Sequence, residues 1–169
     1  GPVAIRQAVR ENLEAGVDFI KIFATGTILG PREAVLQPAY SPEEIRAAAD
    51  TAHAANRLIV AHCHGGPAAD ECIRAGVDIL EHGSLLSWEQ LEMMAERGTW
   101  LCITLGVLSH PHGEVAERLK GPQADEIRRR IDEVQEVMRG AIRAGVRYIV
   151  GTDAVHCALA FELRSLERL

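Results

Sequence analysis

The chain has 169 residues, 47% of them hydrophobic and 25% charged, which is the balance of a folded globular domain rather than a disordered tail or a fibre. Its 24 acidic and 18 basic residues give a net charge of −6, which argues against a basic surface for nucleic acid. No apolar stretch approaches the roughly 20 residues of a membrane-spanning helix. The four cysteines form no C-x-x-C pair, which favours reduced thiols and a cytoplasmic location.

Helical and strand patterns alternate along the chain, and a Gly or Asn separates most helices from the strand that follows. The sequence Ala-Gly-Val occurs at 15–17, 75–77 and 144–146, each time before a short apolar run. Gly and Asn adopt the left-handed conformation that ends a helix at the least cost. The predicted elements are helix 3–15, strand 17–23, helix 42–55, strand 57–63, helix 67–75, strand 77–82, helix 88–97, strand 99–105, helix 123–144, strand 146–152, and a helix near the end.

Strands that alternate with helices predict an α/β fold with a parallel sheet. The predicted strands are almost continuously apolar, as expected when both faces of a parallel sheet are covered. Five strands are too few for a closed eight-stranded barrel, which needs at least about 200 residues. We therefore expect residues 1–169 to form a single segment of a larger architecture.

Polar residues that could take part in catalysis or metal binding lie near the ends of the predicted strands. The carboxyl ends of parallel strands meet at one edge of a sheet and carry the functional residues of such folds. Lys21 interrupts the apolar run Phe19–Phe23, so its amine must be paired, neutral or modified. A lysine that extends to solvent from a strand end is the plainer alternative.

Two histidines of the second long strand, His62 and His64, point to the same face because side chains alternate along a strand. Two imidazoles on one face suit zinc, although a hydrogen-bonded structural pair would have the same pattern. His82 could be a core histidine and Asp153 a helix N-cap. Four such residues at one edge of the sheet are nevertheless hard to explain as separate structural features.

The motifs at these positions resemble those of the metal-dependent amidohydrolases, in the branch of imidazolonepropionase-like and Xaa-Pro dipeptidase-like enzymes. The resemblance covers nearly the whole chain in the same order. Its motifs are DFIKI at 18–22, VAHCHG at 60–65, AGVDILEHG at 75–83 and GTDA at 151–154.

The resemblance implies a partial TIM barrel, about strands 4 to 8 with their helices. It also implies a hydrolase that cleaves an amide or peptide-like C–N bond with a metal-activated water. Lys21 would be carboxylated by CO₂ to a carbamate that bridges one or two divalent ions, most simply zinc, and His62, His82 and Asp153 would be the other metal ligands. Asp153 would also accept the proton of the attacking water, and His64 would contact a small amide or dipeptide substrate.

The chain departs from the family pattern in one respect that bears on activity. The H-x-H pair of the family's first strand has no counterpart here, nor have the first strands and the flanking sandwich domain. We therefore expect this segment to lack turnover by itself. We also expect its open sheet edges to favour association between copies.

Two other functions fit part of the pattern. Lys21 and the following Ala24-Thr25-Gly26 also look like the lysine strand of a Schiff-base aldolase, in which a lysine attacks a carbonyl. That chemistry does not need His62, His82 or Asp153. The third alternative is a barrel segment without catalysis that serves folding or assembly.

Overall fold

A computed structural model describes residues 1–28, 30–110, 115, 120–122, 124–153, 159–167 and 169. Within these residues the elements are α1 (Pro2–Glu14), β1 (Phe19–Phe23), α2 (Arg32–Val35), α3 (Pro42–Ala54), β2 (Leu58–Gly65), α4 (Gly66–Ala75), β3 (Ile79–Leu85), α5 (Trp88–Arg97), β4 (Trp100–Ile103), α6 (Gly106–Ser109), α7 (Ala124–Ala144), β5 (Tyr148–Val150) and α8 (Leu159–Leu166). Each predicted element is present, with bounds shifted by up to three residues. The short helices α2 and α6 lie where no element was predicted. None of the described helices has the length and apolarity needed to cross a membrane.

The strands form a parallel sheet in the order β1-β2-β3-β4-β5. In a doubly wound sheet the strand order reverses at a switch point, whereas in a (β/α)₈ barrel each strand pairs with the next along the chain. The described sheet follows the second pattern without a reversal. The fold is therefore α/β, with the topology of part of a barrel, as predicted.

Local signals in the sequence explain where the helices begin and end. The Ser41 hydroxyl accepts the backbone N–H of Glu44, and the Glu44 carboxylate accepts the N–H of Ser41, at 3.3 and 2.8 Å. Ser87 and Gln90 make the same reciprocal pair at the start of α5. Such a capping box satisfies N–H groups that have no partner inside the helix. Asn56 takes a left-handed φ of 55° before β2, as predicted.

The two faces of the sheet differ sharply in burial. The face under the helices carries Ile59, Leu80 and Leu101, each fully buried. We call the opposite face the inner face, because in a closed barrel it would line the interior. It leaves Phe19 50% and Phe23 56% exposed at one edge. The barrel topology therefore carries an apolar inner surface that the described part of the chain does not cover.

We predict that the 169-residue chain associates with itself at micromolar concentration, since β1 and β5 lie at the two edges of the sheet formed by the described residues, beside exposed apolar side chains. The variant Phe19→Lys should shift the population towards monomer, as measured by sedimentation velocity. The matched control is Val3→Lys on α1, where an 81% exposed side chain lies off the sheet and its replacement should change nothing. A wild-type chain that sediments as a monomer throughout this range would contradict the prediction.

Candidate active site

The end of β2 brings two imidazoles to the inner face. The rings of His62 and His64 have centroids 4.8 Å apart, and Cys63 between them is fully buried in the core. This is the alternation predicted from the sequence. The Phe23 ring, from the neighbouring strand β1, stacks on His62 with a centroid distance of 4.7 Å.

A left-handed backbone brings His82 to the same place. The parallel register pairs His82 with Cys63, so regular alternation would direct its side chain towards the helices. Instead φ is +72° at His82 and +59° at Gly83, and the His82 ring lies with its centroid 4.6 Å from that of His62. The two histidines are neighbours, as predicted. However, a regular strand would not produce this arrangement, so the backbone departs from regular strand geometry at His82.

Each imidazole has a hydrogen-bond partner that orients it. The His62 Nε2–H donates to the carbonyl of Gly26 at 3.0 Å. His82 Nδ1 lies 2.8 Å from Thr104 Oγ1, and His64 Nδ1 lies 3.1 Å from Ser84 Oγ. Among these partners, Thr104 lies near the end of the strand predicted over residues 99–105. Gly26 and Ser84 were missed, because loop geometry decides which of their atoms reach the rings.

Burial keeps two of these imidazoles neutral. Desolvation is the main cause that lowers the pKa of His64 to about 3, and the nearby His82 and His62 lower it further. Desolvation likewise lowers the pKa of His82 to about 3, with added contributions from His62 and Lys21. A neutral imidazole keeps a lone pair on one ring nitrogen, which is the state that binds a metal ion.

Lys21 is paired with a carboxylate, which is one of the states predicted for it. Its ammonium group forms an ion pair with Glu81, the residue immediately before His82. Glu81 Oε2 also lies 4.0 Å from His82 Nε2. Glu81 was missed as a site residue, because only its register position opposite His62 shows that both side chains lie on the inner face.

Asp153 completes the group at the end of β5. One of its carboxylate oxygens lies 3.9 Å from His82 Nδ1, and its backbone has a left-handed φ of 44°. The predicted site residues therefore surround one cavity of about 270 Å³. The residues that line this cavity are Lys21, Phe23, Thr27, Ile28, His62, His64, His82, Ser84, Thr104, Val107 and Asp153.

The cavity contains donor atoms suited to a cation, but these atoms are not arranged as a complete set of metal ligands. Across the described ranges, no three His, Cys, Asp or Glu side chains are already arranged to hold a metal ion. The His110 ring packs edge-on against Phe161, at a centroid distance of 4.7 Å. Two further histidines of the sequence, His112 and His156, lie outside the described residues.

Comparison with known proteins gives consistent matches along the chain. The model of the amidohydrolase family matches residues 1–168. Ochratoxinase from Aspergillus niger is 31% identical over 153 residues, which cover 90% of this chain and 32% of that protein. The chain therefore spans about a third of the length of this curated relative.

Solved structures give the same result in three dimensions. The crystal structure of A. niger ochratoxinase superposes with a TM-score of 0.85 at 30% identity, over 99% of this chain and 38% of that one. A prolidase complexed with N-methylphosphonate-L-proline gives 0.80 at 31% identity, over 96% and 40%. A Xaa-Pro dipeptidase with bound methionine gives 0.76 at 30% identity, over 91% and 38%.

We predict that the metal-free protein loses stability as the pH falls from about 6.5 towards 3. Unfolded imidazoles take up protons below their ordinary pKa of 6.5, whereas folded His64 and His82 resist protonation until about pH 3. The slope is up to about 1.4 kcal/mol per pH unit for each imidazole. Urea unfolding of chelator-treated protein at pH 7, 6 and 5 should therefore show a shallower slope in His64→Asn than in wild type. Equal slopes would contradict the prediction.

Proposed function

Because this chain belongs to the amidohydrolase family, we propose that it carries the metal-binding strand ends of a hydrolase for amide-type C–N bonds. The observation that carries the proposal is that Lys21, His62, His82 and Asp153 line one cavity, although three lie on different strands and the fourth follows a further strand. A site for small molecules is expected at this edge of a barrel. A role in folding or assembly alone would not require these residue types to meet.

The donor set fits one or two divalent cations, with zinc favoured by its imidazole and carboxylate ligands. His62 and His82 are 4.6 Å apart between ring centroids, and the second ring is neutral. Thr104 at His82 Nδ1 is the kind of outer partner that fixes a ligand ring and leaves Nε2 for the ion. A bound cation would polarise the substrate carbonyl and acidify a water molecule.

Lys21 would bridge two such ions after reaction with CO₂. Its neutral Nζ attacks the carbon of CO₂, an N–C bond forms, a proton leaves to solvent, and a carbamate anion results. The ion pair with Glu81 engages Nζ, so this pair must open before Nζ can react. Lys21 Nζ also lies over the Phe23 ring, 5.5 Å from its centroid, and both residues line the cavity, so the amine is beside the cavity when the pair opens.

Two further residues have roles suited to their positions. The half-exposed carboxylate of Asp153 lies where it can accept a proton from water that attacks the substrate. His64 has one ring nitrogen held by Ser84 and lines the cavity beside the proposed ligands, so we assign it to substrate contact. The names of the related prolidase and Xaa-Pro dipeptidase support a small substrate of the amide or dipeptide class.

We predict that the double variant His62→Ala/His82→Ala loses metal before it loses its fold. Loss of one residue that hydrogen-bonds to a metal ligand lowers metal affinity roughly 10- to 100-fold. Loss of two ligands should lower the zinc affinity of the protein, expressed from its full reading frame, by more than that. Metal content by mass spectrometry and unfolding by circular dichroism separate the two effects.

The matched control for this prediction is His53→Ala, which removes a histidine that pairs with Asp78 at 2.9 Å outside the cavity. This control should keep the wild-type metal content. Unchanged metal content in the double variant, together with a lower melting temperature, would identify His62 and His82 as a structural pair instead.

We also predict that Lys21 carries the carbamate. Zinc-loaded protein incubated with ¹³C-bicarbonate should show a carbamate ¹³C resonance that is lost in Lys21→Ala. It should persist in Lys120→Ala, which removes the other lysine of this chain. Borohydride reduction in the presence of acetaldehyde should leave Lys21 unmodified. An alkylated Lys21 without a carbamate signal would instead support Schiff-base chemistry and contradict the proposal.

A further inference from the structure

Glu162, on α8, is a fully buried carboxylate that the proposed chemistry does not use. Its exposed fraction is 0%, and its two oxygens accept the backbone N–H groups of Leu105 and Gly106. A buried carboxylate without partners would be strongly unfavourable, whereas two N–H donors offset much of that cost. The interaction is therefore specific to a carboxylate at this position.

The approach of the carboxylate also depends on the residue that it contacts. A Cβ atom placed on Gly106 would lie only 2.6 Å from Glu162 Oε2, so a side chain there would displace the carboxylate. Glu162 and Gly106 consequently form a matched pair. Their contact joins α8 to the segment that leaves β4.

This segment continues directly into the site. Thr104 and Val107 flank the two residues that Glu162 binds, and both line the cavity. Thr104 Oγ1 lies 2.8 Å from His82 Nδ1, so the position of the Thr104 backbone sets the orientation of the His82 ring. A continuous chain of contacts therefore runs from Glu162 through Leu105 to Thr104 and then to His82.

We propose that Glu162 is a positioning residue that fixes the segment after β4, so that Thr104 holds the His82 imidazole in one orientation and tautomer. It acts through the backbone and does not touch the cavity. It also ties α8, which follows β5 and Asp153 in the chain, to the neighbouring strand end. The inference deepens the proposed function, because it uses His82 as a ligand, but its primary test does not need a metal ion.

The test compares Glu162→Gln with two variants in ¹⁵N-histidine-labelled protein expressed from its full reading frame. The amide of Glu162→Gln keeps one acceptor oxygen but presents an NH₂ group to the second backbone N–H, so one hydrogen bond is lost. We expect the His82 ring nitrogen shifts to change as they do in Thr104→Val, which removes the hydroxyl directly. The His62 and His64 shifts should stay as in wild type.

The matched control is Ser165→Ala on the same helix, which removes a hydroxyl bound to the carbonyl of Phe161 at 2.9 Å. It should leave the His82 signals unchanged, which separates positioning from general loosening of α8. Zinc affinity should fall about 10-fold or more in both Glu162→Gln and Thr104→Val, within the range for lost outer-shell partners. Should Glu162→Gln not fold, Glu162→Asp keeps the charge, shortens the reach by one methylene and is expected to give the same His82 shift.

A Glu162→Gln protein with a lower melting temperature but wild-type His82 shifts would show that Glu162 only anchors α8, and would overturn the inference. The inference would also be overturned if Ser165→Ala changed the His82 shifts as much as Glu162→Gln does. Failure of the wild-type protein to bind zinc, with the His82 shift still dependent on Glu162, would contradict the proposed function alone. The two outcomes are therefore distinguishable.

Discussion

The arrangement of the site depends on a left-handed backbone at one residue, His82. Non-glycine residues adopt a positive φ at a cost of about 1–3 kcal/mol, and such strain persists only where the surroundings hold it. Here the surroundings are the His62 and His64 rings, with centroids within 5 Å, and the hydroxyl of Thr104. Without this turn the imidazole would face the helices, and of the pair Glu81 and His82 only Glu81 would lie on the inner face.

The electrostatic design of the cavity follows from that arrangement. Burial disfavours the protonated forms of His64 and His82, because a charged ring there would lose its hydration and be repelled by the neighbouring groups. Lys21 brings a positive charge to the site, and Glu81 balances it. Such a site offers neutral nitrogen donors and carboxylates together, which is a suitable environment for a cation. The same ion pair engages Nζ of Lys21, so any chemistry at Nζ begins by opening it.

The sequence predicts the regular parts of this structure well, because they depend on local rules. Apolar periodicity, the Ser41 capping box and the Asn56 stop each act within a few residues. The same rules place His62 and His64 on one face. The nearness of His82 to His62 was also predicted, although the left-handed turn that produces it is not visible in a pattern of alternating residues.

What the sequence did not predict depends on contacts between residues far apart in the chain. Glu81 becomes a site residue only through the register of β1, β2 and β3, which brings it to Lys21, 60 positions earlier. Glu162 contacts Gly106 across 56 positions, and nothing near either residue marks the pair. The short helices α2 and α6 were missed for a related reason, since four residues are too few to show a period and tertiary contacts decide their conformation.

The division of the sheet into two faces explains how one fold can contain both a stable apolar core and a site of polar residues with strained backbone. Apolar side chains under the helices are fully buried, and they provide the packing that keeps the strands in register. The fold therefore depends less on the packing of the inner-face residues, which can be charged, strained or exposed. The backbone departs from regular strand geometry at His82, just before the register between β2 and β3 shifts, and at Asp153, which follows β5, and both residues adopt left-handed conformations. The site thus forms where the regular ladder is interrupted or has ended, because a departure from regular geometry disrupts few hydrogen bonds there.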